Sequence, residues 1–335
     1  MEKVLVTGAT GYIGLHCVHQ LLNQGYAVNG TLRSPSRKQE IIDALEKANT
    51  STENLNLFVL DLTSDEGWDE SMKGCDYVLH VASPLSIGKT DEDFFIKPAV
   101  GGVNRAMHYA KKHQVKKVVL TSSVAAVFDS LDEKKYYDEN DWSDPDNPDI
   151  TPYNKSKTLA EKAAWEFVEK NNNPFPLTVI NPFLVIGPSL TDDLGESNIA
   201  IKLLVTGKVP FIIPLQFGFV DVRDVASAHL LALKNSNTDG ERFILSESDL
   251  WYRDVAKILR SGNYKKIPKI ELPVFFVKLL APFNKMLGRI VKAIGRVRSV
   301  DKTTKAIDIL QWKPRPIKES ILETAKQIKD LGLIK

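Results

Sequence analysis

The sequence VLVTGATGYIG at residues 4–14 determines how the rest of the chain is interpreted. Residues 3–6 are β-branched and aliphatic, which is the composition of a buried strand. Gly8, Gly11 and Gly14 follow at a spacing of three residues, and residues 13–22 repeat apolar side chains with the period of a helix. Strand, glycine turn and helix together predict the opening of a nucleotide-binding βαβ unit.

Each glycine of this turn has a physical role. Gly8 permits the tight turn, Gly11 lets a pyrophosphate approach the backbone, and Gly14 lets the helix pack close to the strand. The free N–H groups and the positive dipole end of the helix then face the phosphates. The alternative is an ordinary glycine turn without a ligand. We predict cofactor contacts at these residues of the turn: Gly8, Thr10, Gly11, Tyr12, Ile13 and Gly14.

The composition excludes several other classes of protein. The chain has 335 residues, of which 43% are apolar and 26% charged, and its net charge of +2 gives no argument for a nucleic-acid partner. Cys17 and Cys75 lack metal-ligand spacing, so we predict buried, inert thiols and no metal site. The first strand begins almost at Met1, which leaves no room for a signal peptide, so we expect a cytoplasmic protein.

The turn after the second predicted strand, residues 26–32, is basic. It contains Arg33, Arg37 and Lys38, and it lacks the Asp or Glu with which an NAD site usually holds the ribose hydroxyls. These cations would pair with a 2′-phosphate, which an acid would repel. The alternative is a solvated basic turn that opens a helix at 38–48. After a glycine turn, the pattern favours NADPH over NADH.

Further apolar runs predict strands at residues 54–60, 75–81 and 116–120, and residues 91–112 are long enough for a helix of several turns. Ligands collect at the carboxyl ends of parallel strands. His80 is most simply a satisfied residue within its strand. We expect the cofactor to lie along the residues that end these strands: Val81, Ala82, Ser83 and Thr121.

A candidate for proton transfer lies at residues 151–157, TPYNKSK. Thr151 or Pro152 is predicted to open a helix that runs to about residue 170, and Tyr153 and Lys157 then share one face of it. Reduction of a carbonyl by hydride needs a proton donor, and a free Tyr with a pKa near ~10 is poorly poised for it. A neighbouring ammonium lowers that pKa. The alternative is a surface Tyr–Lys pair.

The order of these motifs resembles the extended branch of the short-chain dehydrogenase/reductase superfamily: TGxxGxxG, the serine pair 122–123, then YxxxK. The segment NPFLVIGP at 181–188, after a predicted strand at 176–180, is similar to that of dihydroflavonol-4-reductase and cinnamoyl-CoA reductase-like aldehyde/ketone reductases of the NAD-dependent epimerase/dehydratase family. The segments FVDVRDVA at 219–226 and LQWKPRP at 310–316 resemble further motifs of this branch. The resemblance spans nearly the whole chain.

This resemblance implies an α/β fold with a Rossmann-type doubly wound parallel sheet and a smaller C-terminal α/β substrate lobe. Residues 1–180, with later strands from about 217–246, would form the NADP-binding domain, and residues 181–335 mainly the lobe. Ser123, rather than the alternative Ser122, would be the catalytic hydroxyl beside Tyr153 and Lys157, and Lys157 would also bond the nicotinamide ribose. The family's remaining cofactor contacts match these residues: Asp61, which would contact the adenine, Leu62, Pro182, Leu184 and Val185.

The expected function is NADPH-dependent reduction of a small-molecule carbonyl. The alternatives are a hydroxysteroid dehydrogenase, a nucleotide-sugar epimerase or dehydratase, and a non-catalytic NADP sensor. The missing acid near Arg33 counts against an NAD-holding epimerase, and the presence of Tyr153 and Lys157 counts against a sensor. Phe128, Phe183 and Phe219 either line an apolar pocket or pack in the core. A monomer and a homodimer are both compatible with the sequence.

The segment 272–300 is rich in apolar and basic residues. Lys278, Pro282 and Lys285 interrupt it, so its apolar runs are too short to span a bilayer, and we expect no stable membrane insertion. It either lies on a membrane surface as an amphipathic helix, or its apolar residues cover the substrate cleft or pack the C-terminal lobe. We favour the second interpretation, with its Lys and Arg side chains solvated.

Overall fold

The computed structural model describes residues 1–86, 89–128, 136–283, 288, 291, 293–297, 299–300 and 304–334. The strands have these bounds: β1 (Lys3–Thr7), β2 (Ala27–Leu32), β3 (Leu55–Val59), β4 (Tyr77–His80), β5 (Lys117–Thr121), β6 (Tyr136–Tyr137), β7 (Leu177–Pro182), β8 (Leu184–Ile186), β9 (Gln216–Asp221), β10 (Arg242–Leu245), β11 (Ser248–Trp251) and β12 (Ser299–Val300). The α-helices have these bounds: α1 (Tyr12–Asn23), α2 (Lys38–Lys47), α3 (Trp68–Met72), α4 (Glu92–Lys112), α5 (Pro152–Lys170), α6 (Ile199–Val205), α7 (Val222–Lys234), α8 (Tyr252–Ser261), α9 (Val274–Leu280), α10 (Thr304–Leu310) and α11 (Ile317–Asp330).

Seven of these strands form one parallel sheet in the order β3-β2-β1-β4-β5-β7-β10. The direction of winding reverses between β1 and β4, which is the point where doubly wound sheets bind their ligands. The predicted Rossmann-type sheet is confirmed, and its strands lie where the apolar runs predicted them. Apart from the edge strand β3, which is partly exposed, the strands of this sheet are almost entirely buried, which explains their nearly continuous apolar runs.

The two faces of the sheet have separate cores. In β1, the side chains of Val4 and Val6 lie in the core that α1 and α7 cover, whereas Leu5 lies in the core under α4 and α5. This alternation follows from the two-residue period of a strand. Because α5 packs against α4 on that second face, its first turn comes to the carboxyl edge of the sheet, beside the end of β5.

A second, smaller sheet has the order β11-β9-β8, with β9 parallel to β8 and antiparallel to β11. Helices α6, α8 and α11 share a core with it. Of the later strands expected to contribute to the NADP-binding domain, β10 joins the large sheet, whereas β9 lies in the second sheet. The apolar composition of β9 indicates a buried strand without specifying which sheet it enters.

The segment 272–300 is only partly among the described residues: 284–287, 289–290, 292 and 298 lie outside them. Helix α9 buries Val277, but Phe275 and Phe276 are 70% and 52% exposed. These two side chains are exposed because a seven-residue helix has only one buried face, and the expectation that the segment covers the substrate cleft stays a prediction. In the described ranges, we find no helix of the length and apolarity needed to cross a membrane.

Candidate active site

The glycine turn connects β1 to α1 and packs against the segment that follows β4. Gly8 has φ of +72°, where glycine is favoured, and a Cβ there would lie 3.0 Å from the Cβ of Ala82. A Cβ on Gly14 would lie 2.2 Å from the carbonyl oxygen of Gly8. The third glycine therefore allows α1 to pack directly on the turn, as predicted. Gly11 is the N-cap of α1 and is exposed, so the start of the helix is open to a ligand.

Thr7 fixes the loop that faces this turn. Its Oγ1 accepts hydrogen bonds from the backbone N–H groups of Val81 and Ala82, both at 3.0 Å, and its hydroxyl lies 2.9 Å from the Nδ1 of His80. Burial lowers the pKa of His80 to about 3, so the ring is neutral. Its Nδ1 accepts a hydrogen bond from the hydroxyl of Thr7. His80 is thus satisfied, as expected. Our sequence reasoning did not select Thr7.

The side chain of Tyr12 points away from the turn. Its hydroxyl donates to the carbonyl oxygen of Gly187 at 2.6 Å and accepts from the Nδ2 of Asn198 at 3.1 Å. The side chain thus joins α1 to the second lobe, and its backbone at the helix start is the part left for a phosphate. Thr10 and Ile13 are half-buried beside it, and Ile13 packs against the core.

The basic turn after β2 contains two kinds of cation. Arg37 donates two hydrogen bonds to the carboxylate of Glu40, both at 2.7 Å. Arg33 and Lys38 are exposed, and within the described part of the chain neither side chain has a hydrogen-bonding partner. The predicted set of three therefore separates into one internally paired arginine and two cations that remain open to a ligand.

The residues after β3 are held by local contacts. One carboxylate oxygen of Asp61 accepts from the backbone N–H and the hydroxyl of Thr63, at 2.8 and 2.6 Å. These bonds and, more weakly, the charge of Arg33 hold the pKa of Asp61 below its usual value. The side chain of Leu62 packs against Gly102 of α4. Arg33 and Asp61 are thus brought together, whereas the Leu62 side chain is committed to packing.

The end of β5 places three hydroxyls at the sheet edge. Thr121 donates to the Nε2 of His229 at 2.6 Å, so its hydroxyl is turned towards α7. The Oγ of Ser122 is buried and has no hydrogen-bonding partner in the described part of the chain. Ser122 instead lines a small pocket together with Ser83 and Lys157. The hydroxyl of Ser123 points elsewhere, towards α5.

Helix α5 begins where the sequence predicted. The Oγ1 of Thr151 accepts from the backbone N–H of Asn154 at 3.1 Å, and Pro152 occupies the first helical position. Tyr153 therefore lies in the first turn, close enough to Ser123 for that hydroxyl to lower the pKa of Tyr153. Of the two candidate serines, the structure brings Ser123 to Tyr153.

The protonation of Tyr153 differs from our expectation. We predicted that Lys157 lowers the pKa of Tyr153, but burial raises that pKa, and the neighbouring hydroxyl of Ser123 opposes the rise without cancelling it. The Nζ of Lys157 lies 6.0 Å from the centroid of the Tyr153 ring. Lys157 is itself only 7% exposed, and burial lowers its pKa to about 8 against the opposing charge of Glu161. Desolvation thus outweighs the cation in the described structure.

Three buried polar residues behind this site were missed. Glu161 has no exposed surface, and its carboxylate accepts from the Nε of Arg242 at 2.6 Å and from the Nδ2 of Asn181 at 2.8 Å. The same nitrogen of Asn181 donates to the carbonyl oxygen of Ser123 at 3.1 Å. A sequence signal existed for Glu161, because it continues the four-residue spacing of Tyr153 and Lys157 along one helix face.

The comparisons with known proteins agree with this geometry. The family model of the NAD dependent epimerase/dehydratase family matches residues 4–245. The chain belongs to this family. The predicted resemblance to its reductase branch is confirmed by relatives whose names are cinnamoyl-CoA reductase and dihydroflavonol 4-reductase.

Two relatives of this epimerase/dehydratase family member match almost its entire length. Cinnamoyl-CoA reductase 2 of Arabidopsis thaliana is 34% identical over 335 residues, which cover 99% of this chain and 93% of the relative. The NADPH-dependent methylglyoxal reductase GRE2 of Saccharomyces cerevisiae is 34% identical over 355 aligned positions, which cover 97% of this chain and 98% of the relative. The crystal structure of yeast methylglyoxal/isovaleraldehyde reductase Gre2 complexed with NADPH matches with a TM-score of 0.82 at 33% identity. The match covers 99% of this chain and 100% of the yeast chain.

The family segment at 181–188 lies at the junction of the two sheets. Pro182 ends β7 and is buried, Leu184 is half-buried, and Val185 packs in the core of the large sheet. Phe183 between them contacts Phe128, with ring centroids 5.6 Å apart. The side chain of Val185 is therefore structural, and only its backbone remains as a possible cofactor contact.

The remaining candidates in this family member are structural. Phe219 is fully buried in the second lobe, so it packs in the core. Cys17 and Cys75 are buried, free thiols, and burial raises the pKa of Cys75 to about 12. Among the residues that the structure describes, no group of three or more His, Cys, Asp or Glu side chains is placed to hold a metal ion.

Proposed function

We propose that this protein is an NADPH-dependent reductase of small-molecule carbonyl groups, with Tyr153 as the proton donor. The observation on which this rests is that Ser123 and Tyr153 lie beside each other at the carboxyl edge of the sheet, with Lys157 one turn further along α5. The edge is the one at which the glycine turn ends β1. Relatives that are named reductases, at 34% identity over nearly the whole chain, support the same reaction class.

The residues at this edge fit NADPH. The open start of α1 after Gly11 suits a pyrophosphate, and exposed Arg33 and Lys38 suit a 2′-phosphate. The names of the yeast relative and of its solved structure include NADPH. When bound, this cofactor supplies the hydride that a carbonyl needs. Lys157, at the inner end of the site, would bond its nicotinamide ribose.

The chain's own residues then handle the proton and the developing charge. Burial keeps Tyr153 protonated at neutral pH, so its O–H is available to the oxygen of a bound carbonyl. The hydroxyl of Ser123 stabilises the negative charge that forms on that oxygen. The ammonium of Lys157 favours the phenolate that remains on Tyr153 after its proton has left.

The experiment follows NADPH and NADH absorbance over aldehydes, α-dicarbonyls, flavanonols and ketosteroids. We expect turnover with NADPH, and we expect Tyr153→Phe to reduce kcat by about 10²–10⁴-fold while the Kd for NADPH stays unchanged. Tyr109→Phe, on α4, is the matched control and should retain activity. Unchanged turnover in Tyr153→Phe would remove Tyr153 as the donor. Binding of NAD(H) alone would restore the epimerase alternative, and NADPH binding without turnover would favour a sensor.

A further inference from the structure

A buried ion pair lies directly behind the Ser123–Tyr153–Lys157 site. Besides its 2.6 Å bond to Glu161, the guanidinium of Arg242 lies 3.8 Å from the centroid of the Trp142 ring. Its Nη1 also donates to two backbone carbonyl oxygens, those of Glu139 and Asp141, both at 2.7 Å. A buried carboxylate is costly unless it is paired and hydrogen-bonded, and here it is both. Arg242 thus fixes the position of the Glu161 charge, and Arg242 is itself held by the backbone of Glu139 and Asp141 and by the ring of Trp142.

Asn181 connects this pair to the candidate site. A side-chain amide nitrogen has two hydrogens, and those of Asn181 go to the carboxylate of Glu161 and the carbonyl oxygen of Ser123. Asn181 lies near the carboxyl end of β7, the strand that pairs with β5 in the large sheet. The carboxylate, the amide and the backbone of Ser123 therefore form one continuous hydrogen-bonded chain.

Glu161 also acts on Lys157 directly. The two side chains lie one helical turn apart on α5 and line the same small pocket. Burial disfavours the ammonium of Lys157, and the negative charge of Glu161 favours it. The other groups that face Lys157 in the described structure supply no anion: Tyr153 on α5, neutral His80 on β4, Thr121 and Ser122 after β5, and Ala99 and Val103 on α4.

We propose that Glu161 is a positioning residue that keeps Lys157 cationic, and that Arg242 and Asn181 hold Glu161 in place for this task. The inference rests on the proposed function, in which a cationic Lys157 favours the phenolate of Tyr153. An ion pair that served stability alone could lie at any distance from Lys157. The geometry instead places the one buried carboxylate of α5 on the same face as Lys157, at the next turn.

The test measures the titration of Lys157 in Glu161→Gln, without substrate. In protein labelled with ¹³C-lysine, the ε-carbon signal of Lys157 is assigned by its loss in Lys157→Met and followed against pH. In the wild type we expect a midpoint of about 8. In Glu161→Gln we expect it about one pH unit lower, since a nearby opposite charge has an effect of at least this size. Glu161→Asp, which keeps the charge, should give a midpoint between the two.

The control is Glu166→Gln, which removes an exposed carboxylate further along the same helix and should leave the midpoint unchanged. Glu161→Gln leaves Arg242 buried without a counter-ion and can fail to fold. In that case, Glu161→Gln with Arg242→Met removes both charges and retains an apolar contact for Trp142, and a smaller downward shift is expected, because loss of the Arg242 cation favours the ammonium of Lys157. A midpoint that is unchanged in every folded variant lacking Glu161 would overturn the proposal.

An activity measurement separates this inference from the proposed function. With a substrate of the panel, the alkaline fall in kcat should begin about one pH unit lower in Glu161→Gln than in the wild type, and KM should change less than kcat. A shifted Lys157 midpoint without any turnover, in wild type or variant, would contradict the proposed function alone. An unshifted midpoint in an active enzyme would contradict the role of Glu161 alone.

Discussion

The two cationic regions of the candidate site are held in opposite ways. Lys157 is 7% exposed, and burial brings its pKa down to about 8 while Glu161 acts against this. Arg33 and Lys38, at the end of β2, are exposed. A buried ammonium depends on internal charges and can change its protonation near neutral pH. An exposed guanidinium remains charged and open to a ligand, but salt screens it.

The largest effect is expected from removing the buried cation. We predict that Lys157→Met lowers kcat/KM by about 10²-fold or more, because the phenolate of Tyr153 loses its stabilising charge. The free energy of unfolding should not fall correspondingly, since the variant no longer buries an ammonium. Steady-state kinetics and urea unfolding measure the two quantities. Lys170→Met, at the exposed end of α5, is the control, and an equal loss of activity in both variants would contradict a special role for Lys157.

A smaller effect is expected from removing an exposed cation. We predict that Arg33→Ser raises the Kd for NADPH about tenfold and leaves that for NADH unchanged, because it removes a charge-assisted bond to the 2′-phosphate. Arg37→Ser should have a weaker effect, since Glu40 already occupies that guanidinium. Fluorescence titrations measure both. The difference between the variants should shrink as salt is added, and a loss of NADH affinity in Arg33→Ser would refute the assignment.

The smallest effect concerns stability against pH. Lys157 has a pKa of about 8 in the folded state and about 10.4 when unfolded, so between these values the unfolded chain binds more protons. The free energy of unfolding contributed by this residue therefore rises with pH, by about 1 kcal/mol between roughly pH 8 and 9. Urea unfolding at each pH gives the free energies of unfolding of the wild type and of Lys157→Met, and their difference isolates the contribution of Lys157. Arg33→Ser should retain the increment, because an Arg side chain stays charged throughout.

The fold was largely predictable because its signals are local. The apolar runs placed the strands of the large sheet, and the glycine turn fixed the start of α1, since a Cβ on Gly14 would collide with the carbonyl of Gly8. The sheet that β9 enters could not be predicted, for a physical reason. A strand buried on both sides has the same composition in either sheet, and its partners β8 and β11 are determined by packing.

The candidate site was predictable where its residues share one element. Tyr153 and Lys157 lie on one face of α5 because of their spacing, and the capping residue Thr151 specifies where that helix begins. The protonation of Tyr153 was predicted with the wrong sign. A pattern of residues shows that a cation is near but not how much water is excluded, and burial raises the pKa of Tyr153 here.

The sequence by itself determined the parallel sheet, the glycine turn and the Tyr153–Lys157 face, because hydrophobic period, backbone sterics and helical spacing act over a few residues. Tertiary structure alone decided that Ser123 rather than Ser122 meets Tyr153, and that Arg242 and Asn181 meet at Glu161. Arg242 is 81 residues from Glu161 along the chain. Only the pairing of β10 with β7, and of β7 with β5, brings these strands to one edge, where a buried carboxylate requires partners.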